Sequence, residues 1–467
     1  MNVLEVNQFI DKNKSRHLSN KVLHAHPSPM LWKNDFDRDM AQKALSVKNN
    51  HLTKVNMYIG IPFCLPTDPP HCGFCLFPTE KYAGKESSDN YLDHLEMEAE
   101  LYRDFYNNAC LESLYVGGGT PNLLQPRHYE RLMAIVDHLF PDSPCNIEKT
   151  IEGIPQLFDQ EKVAAIHSAG FNRVSMGVQQ VTDKLIVHSG RKQTQTQVFD
   201  SIKWFNQYQL ACNVDLIYGW PDQTLQDMED DIRAIADSGV NHITHYELNI
   251  AGRSNFSTKM KKRVCSIESK IEMYIRSKEI FNSLGFNQRT VYDWERDDNF
   301  NNVPSEYSYE DNLRHFLPTN RIDQSSCMGG LGYASINMRM HSKSIKSPSV
   351  SAINHRKLSL YYSDVEQSNL PIERLYLHND DDIKLVWLFQ SLQEMKIDLS
   401  RYSYCFQSSL IDEFRNIWSV LSSKEWVEVN THEIVLTDIG EFYVPLIQSL
   451  LSKDRVDELL SPVEGCV

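Results

Sequence analysis

No stretch of the 467-residue chain approaches eighteen uninterrupted apolar residues, so no segment reads as a membrane span. Met1 to Asn20 mixes Asp, Lys, Arg and Asn around no apolar core of signal-peptide length, and the expectation is a cytoplasmic protein with no membrane partner. Clustered cations are also missing. The 47 Lys plus Arg are outnumbered by 62 Asp plus Glu, a formal net charge of -15, which argues against nucleic acid because phosphate binding draws on grouped cations. A regular cysteine framework is absent too. Cys110, Cys145, Cys212, Cys265, Cys327, Cys405 and Cys466 are scattered irregularly, and in a reducing compartment they read as small buried hydrophobes rather than disulfide partners. What is present, 41% hydrophobic and 10% aromatic residues, suffices for a large core divided among about two or three domains.

The remaining three cysteines are grouped. Cys64, Cys72 and Cys75 follow the strand-like run Met57-Tyr58-Ile59-Gly60-Ile61, and Gly117-Gly118-Gly119-Thr120-Pro121 lies some forty residues on. Three thiolates can hold three irons of a four-iron cluster and leave the fourth open to a small molecule. The same residues, with His71 as a fourth donor, also compose a Cys3His zinc set, and Cys72 with Cys75 a redox dithiol.

From residue 55 onward, short β-branched runs alternate with helix-period stretches. Strands are predicted at Val55 to Ile61, Leu111 to Val116, Asn146 to Glu152, Asn172 to Val178, Ala211 to Tyr218, His242 to Leu248 and Phe286 to Tyr292. Helices are predicted between them at Asp89 to Tyr106, Pro126 to Phe140, Asp159 to Ser168, Thr194 to Tyr208, Thr224 to Ser238 and Ser266 to Leu284. Serial βα order points to an α/β fold with an incomplete (β/α)6-type TIM barrel. Ligands in such folds bind at the carboxyl ends of the strands, and there stand Cys64, the glycine run, Glu152, Gln179 and Asp215. Any one of these alone reads equally as a turn or a helix cap.

Beyond the barrel, Asp297 to Glu310 reads as a polar loop, and Gly329 to Ser335 as a close approach of backbone to a ligand or to the barrel. Residues 342 to 375 read as a Ser-, Lys- and Pro-punctuated connection. Helices at Asp381 to Met395 and Ser408 to Leu421, a hairpin of Glu425 to Val429 with Glu433 to Thr437, and a helix at Asp438 to Leu451 suggest a winged-helix-like α+β module that packs or covers substrate. The expected division is an N-terminal extension to residue 53, a barrel over 54–293, a glycine-containing extension and connection over 294–376, and the C-terminal module over 377–467.

Taken in order, Tyr58-Ile59-Gly60-Ile61-Pro62-Phe63-Cys64, Gly117-Gly118-Gly119-Thr120-Pro121, Thr150-Ile151-Glu152-Gly153, Ser175-Met176-Gly177-Val178-Gln179, Val214-Asp215-Leu216-Ile217-Tyr218-Gly219, Tyr246-Glu247-Leu248 and Gly330-Leu331-Gly332-Tyr333-Ala334 resemble the radical S-adenosylmethionine (SAM) superfamily. Within it they resemble the group like oxygen-independent coproporphyrinogen III oxidase, which also holds heme chaperones, heme-degrading methyltransferases and cyclopropanases. The resemblance implies a 4Fe-4S cluster on Cys64, Cys72 and Cys75, and SAM bound through its amino and carboxylate groups to the open iron. It places Tyr58 beside the cluster and Gly117, Gly118, Gly119, Thr120, Glu152, Gln179, Arg191 and Asp215 around SAM. Arg191 suits the carboxylate and Asp215 the ribose hydroxyls. It implies hydrogen abstraction or radical methylation on a bulky organic substrate, tetrapyrrole or heme among the candidates, with flavodoxin or ferredoxin as electron donor.

The sequence departs from that pattern at three points. Seven residues, Leu65 to His71, separate the first two cysteines where the family has three, with Pro66, Pro69 and Pro70 stiffening the loop. Phe77 stands where the decarboxylating members have a fourth cysteine, and Gly60 where they have a histidine. Both replacements argue against the decarboxylase itself.

Overall fold

The computed structural model describes residues 1–15, 26–45, 53–106, 109–142, 146–250, 254–296, 325–341 and 348–461. The polar loop expected at Asp297 to Glu310, together with Cys145 and Cys466, lies outside the described residues.

Six strands, β1 Thr53–Ile61, β2 Ala109–Gly118, β3 Glu148–Gly153, β4 Arg173–Gln179, β5 Ala211–Tyr218 and β6 His242–Glu247, lie side by side in chain order, each parallel to the next. Helices α1 Lys85–Tyr106, α2 Pro126–Leu139, α3 Gln160–Ser168, α4 Gln195–Gln207 and α5 Leu225–Asp237 form the crossovers, and α6 Ile267–Ser283 follows β6. This is the incomplete TIM-like barrel. Its strands do not read as unbroken apolar runs, because their side chains alternate between two faces. Val55, Met57, Ile59 and Ile61 on β1, like Val174, Met176 and Val178 on β4, are fully buried on one face. The other face carries polar groups that bond across strands. Ser113 Oγ donates to Asn56 Oδ1 at 2.7 Å, Arg173 Nη1 to Thr150 Oγ1 at 3.3 Å, and Asn213 Nδ2 to Ser175 Oγ at 3.1 Å. Helix starts follow the caps that the sequence offers, as where the Thr194 and Thr224 hydroxyls accept from Gln197 N and Asp227 N.

The seventh predicted strand is corrected. In place of Phe286 to Tyr292 there are β7 Asn287–Gln288 and β8 Asp293–Glu295, antiparallel to each other, with β8 antiparallel to β6. Between them Thr290 Oγ1 accepts from Tyr292 N at 3.3 Å and Asp293 N at 3.0 Å, closing a turn that an uninterrupted strand cannot contain. On the opposite edge β9 Ser325–Gly332 pairs parallel with β1, setting Gly330 opposite Tyr58. The sheet then continues through β10 Ile336–His341, β11 Ser349–Asn354 and β12 Ile372–His378, each antiparallel to its predecessor. The stretch read as a connection thus supplies two strands, β11 and the edge strand β12, and the helix Leu358–Glu366.

The C-terminal region has helices Asp380–Gln393, Leu399–Phe406, Leu410–Glu413, Arg415–Ser423, Asp438–Phe442, Val444–Leu451 and Lys453–Leu460, with a three-stranded sheet in the order Lys396–Asp398, Glu433–Leu436, Val427–Val429. It has the expected winged-helix-like arrangement, with two corrections. The helix predicted at Ser408 to Leu421 is interrupted at Phe414, between Leu410–Glu413 and Arg415–Ser423. The last predicted helix breaks at Tyr443, because Pro445 lies in the first turn of the segment that follows and cannot continue the one before. No described helix is long and apolar enough to cross a membrane.

Candidate active site

The three cysteines arrive on one short excursion from the end of β1. After Ile61 the chain forms a two-residue bridge, Phe63–Cys64 against Glu80–Lys81, and the loop between them carries Cys72 and Cys75. His71 and Cys72 both lie in the left-handed backbone region at φ 53°, a local strain that the surrounding turn sustains. Thr67 holds it, its hydroxyl accepting from Cys72 N at 2.9 Å and donating to Pro69 O at 2.8 Å.

All three cysteines border a cavity of about 480 Å³ at the carboxyl ends of the strands. Its wall also includes Gly118, Gly119, Thr120, Glu152, Gln179, Arg191 and Asp215, so the structure brings together ten of the twelve residues singled out in the sequence. Two stand behind the wall. Tyr58 is half-buried on β1 with its ring stacked on Tyr115 at 5.9 Å, and Gly117 packs against Tyr115 and Glu152.

The glycines serve packing as much as access. Gly118 sits at φ 106°, and a Cβ on Gly119 would lie 2.5 Å from the Phe63 carbonyl oxygen, so side chains here would push the cysteine excursion off the barrel. Gly118 N already donates to Glu152 Oε2 at 3.1 Å, and Gly119 N to Ile61 O at 2.7 Å. Those two backbone donors are therefore committed within the protein. Thr120 is buried with its hydroxyl 3.3 Å from Cys64 Sγ.

Sequence reasoning missed the residues that position the acids. Tyr115 Oη donates to Glu152 Oε1 at 2.7 Å, and Asn213 Nδ2 donates to Asp215 Oδ1 at 2.7 Å. Both stand two positions from a motif residue or on the strand beside it, and the period-two pattern of β2 and β5 is the signal that could have found them. Burial pushes the Glu152 carboxyl up to about 7. Asp215 reaches about 7 for the same first reason, with the Glu152 charge adding to it. Arg191 lies between cysteine and strand, its Nε donating to Cys72 Sγ at 3.4 Å and its Nη1 to Gly177 O at 2.7 Å. Burial raises the Cys64 thiol to about 11 and raises that of Cys75, so ligation of a metal there would release protons.

Among the described residues, no three His, Cys, Asp or Glu group closely enough to hold a single ion. His71 is exposed, with Nδ1 3.3 Å from Thr79 Oγ1. A four-iron cluster takes each thiolate on a different iron, and three free cysteines around one cavity fit that demand.

A second cavity, of about 650 Å³, adjoins the first and shares Phe74, Cys75, Gln179 and Asp215 with it. Its wall is largely aromatic and apolar, drawing Tyr218, Tyr246 and Tyr292 from the barrel and Phe442 and Pro445 from the C-terminal region.

Comparison with known proteins bears on this site. A profile described as the radical SAM superfamily matches residues 64–287. Oxygen-independent coproporphyrinogen III oxidase from Synechocystis sp. is 26% identical over 422 residues, 86% of this chain and 84% of that protein. Heme chaperone HemW from Buchnera aphidicola is 29% identical over 210 residues, 44% of this chain and 54% of the chaperone. Anaerobilin synthase from Escherichia coli O157:H7 is 27% identical over 248 residues, 51% of this chain and 54% of the synthase. The chain thus spans about half the length of these last two relatives. The solved coproporphyrinogen III oxidase from Escherichia coli superposes with a TM-score of 0.76 at 21% identity, over 92% of this chain and 96% of that one, a likeness of fold. The strand-end cysteines, the barrel and the profile converge, and residues 64–287 of this chain belong to the radical SAM superfamily.

Proposed function

We propose that the chain is a radical SAM enzyme acting on a bulky organic substrate, tetrapyrrole-like compounds being the leading class. The observation that carries this is the meeting of two chambers at Cys75, Gln179 and Asp215, one bordered by the three cysteines and the other large and apolar. A 4Fe-4S cluster on Cys64, Cys72 and Cys75 would supply the electron that cleaves SAM to a 5'-deoxyadenosyl radical. Arg191, on the wall of the first chamber, is assigned the SAM carboxylate. Asp215, oriented by Asn213, is assigned the ribose hydroxyls, and ionised Glu152 favours the ligand's positive charge. Gly117 to Thr120 and Gln179 form the rest of the cradle, and Tyr58 supports it through Tyr115. A flavodoxin or ferredoxin is the expected donor. The division at residues 53, 293 and 376 is retained as part of the proposal.

A second reading, a heme chaperone that keeps the SAM site, draws on the relatives named HemW. The decarboxylase reading draws on the Synechocystis relative, but two positions count against it. A side chain at Gly60 would run into the Tyr333 carbonyl oxygen and come within 2.7 Å of Ser335 Oγ, and Phe77 lies against Gly118. The test is anaerobic incubation of iron-reconstituted protein with SAM, a reductant and coproporphyrinogen III. The expected result is 5'-deoxyadenosine without protoporphyrinogen. Vinyl-bearing porphyrin formed in step with SAM consumption would restore the decarboxylase, and heme held at one equivalent with no SAM cleavage would establish the chaperone.

A further inference from the structure

Behind Asp215 the inner face of the barrel carries a row of polar side chains. Strand register sets Ser175 on β4 beside Asn213 on β5, Asp215 on β5 beside Thr244 on β6, and Thr244 opposite Asp293 on β8. Arg173, Asn213, His242, Thr244 and Asp293 are each 2% exposed, and they hydrogen-bond among themselves and with their polar neighbours.

The direction of each hydrogen bond follows from chemistry at the two ends of this row. A guanidinium only donates, so His242 Nδ1, 2.8 Å from Arg173 Nη2, is an acceptor, and the imidazole proton sits on Nε2, 3.1 Å from Asp293 Oδ1. Asp293 Oδ2 accepts from Thr290 Oγ1 at 2.9 Å. At the other end Asn213 Nδ2 donates to Asp215 Oδ1 at 2.7 Å and to Ser175 Oγ at 3.1 Å, which turns Asn213 Oδ1 toward Thr244 Oγ1 at 3.1 Å. The two ends meet at Thr244. Its hydroxyl also lies 2.9 Å from Asp293 Oδ1, so one proton faces two acceptors. When Asn213 takes that proton, its oxygen is satisfied and its N–H groups stay on Asp215. When Asp293 takes it, the Asn213 oxygen loses its donor, and nothing on that side holds the amide against turning its oxygen to Asp215.

We infer that Thr244 and Asp293 are positioning residues for Asp215: Thr244 locks the Asn213 amide in the orientation that donates to Asp215, and Asp293 competes for the hydroxyl proton that makes the lock. This rests on the reading of Asp215 as a SAM-binding carboxylate, and neither residue stands on the described wall of that chamber. The charges acting on Asp215 are Glu152 and Asp293, which oppose its ionisation, and Arg173, which favours it, with Arg191 and Cys75 on the same cavity wall. A carboxylate is a stronger acceptor than an amide oxygen, so Asp293→Asn leaves more of the proton to Asn213.

If the two residues only held the fold, replacing either would weaken SAM binding; the lock gives opposite signs. The test is calorimetric titration of SAM into anaerobically reconstituted full-length protein between pH 6 and pH 8. Thr244→Val keeps the shape of the side chain without its hydroxyl. It is expected to weaken SAM at least about fivefold and to move the rise of affinity to higher pH, and Thr244→Ser to restore the parent's behaviour. Asp293→Asn is expected to tighten SAM several-fold at pH 6. The part of that gain due to lost charge persists when Thr244→Val is added, and the part carried by the hydroxyl disappears, so the two substitutions are expected to be non-additive. Weaker SAM binding by Asp293→Asn with iron content and circular dichroism of the parent would overturn the inference, as would strict additivity. Should Asp293→Asn not fold, position 244 decides alone, and equal affinities of Thr244→Val and Thr244→Ser would overturn it. Asp215→Ala separates the two levels. Unchanged SAM affinity there sinks the assignment of Asp215 and the lock with it, whereas a loss there with none in Thr244→Val sinks the lock alone.

Discussion

Glu152 and Asp215 carry the electrostatic part of the account. Each is a half-buried carboxyl on the cavity wall with a fixed donor, Tyr115 for one and Asn213 for the other. Removing either by Glu152→Ala or Asp215→Ala should weaken SAM binding by about 1.5 to 3 kcal/mol, roughly ten- to a hundredfold, while iron content holds. Titration calorimetry on reconstituted protein measures this, and unchanged affinity in both variants would move the pocket elsewhere. Their acidity also fixes a pH dependence. Both carboxyls are raised to about 7 in the ligand-free fold, so they are largely neutral at pH 6 and ionised at pH 8. The ionised forms attract the cationic ligand; the Arg173 charge favours ionisation of Asp215, and the Asp293 charge opposes it. Affinity for SAM should therefore climb with pH through neutrality, by about tenfold between pH 6 and 8 for each carboxyl that must ionise. A flat profile would show that neither does. Gly60 gives a steric prediction. Gly60→Ala should destabilise by about 1 to 3 kcal/mol, because the space for a Cβ is taken by the Tyr333 backbone, and denaturant unfolding would show it.

Among the elements, β9 and its neighbours depend on one buried carboxylate. Glu98 on α1 accepts from Gly332 N at 2.6 Å, Asn354 Nδ2 at 2.7 Å and Tyr361 Oη at 2.7 Å, joining a barrel helix to β9, β11 and the helix Leu358–Glu366. Glu98→Ala would leave Gly332 N and Tyr361 Oη without that acceptor, at about 1 to 3 kcal/mol for each, while Asn354 Nδ2 keeps Gly332 O at 2.9 Å. A loss of under 1 kcal/mol in a denaturant titration would mean that water replaces the carboxylate and that the joint is weaker than described. The close approach of Gly329 to Ser335 to the barrel was legible, but its anchor was not: Glu98 looks like one acid among several on a helix, and β11 lies in the stretch read as a connection. Ser349-Val350-Ser351-Ala352-Ile353-Asn354 alternates small polar and apolar residues, a weak pattern that became a strand only because β10 and β12 flank it. The six parallel strands were legible because each carries a short apolar stretch between helix-period segments, and their ends moved by only a few residues.

In the molecule as a whole, the barrel, the added sheet edge and the C-terminal region enclose two chambers that meet beside Cys75. The first was readable from motif order, since Cys64, Glu152, Gln179 and Asp215 all close strands of one barrel and must share its mouth. The second was not, because its wall joins residues as distant as Met30, Tyr246, Arg356 and Phe442, which no local pattern links. The account stands on the three cysteines as ligands of one cluster. Iron and sulfide should be measured after anaerobic reconstitution of the parent chain, of Cys64→Ala, Cys72→Ala and Cys75→Ala, and of Cys110→Ala as control. The account predicts about four irons per chain in the parent and control, and loss of the cluster in each of the other three with the barrel still folded by circular dichroism. Full iron retention in any of those three variants, or zinc in place of iron in the parent, would contradict it.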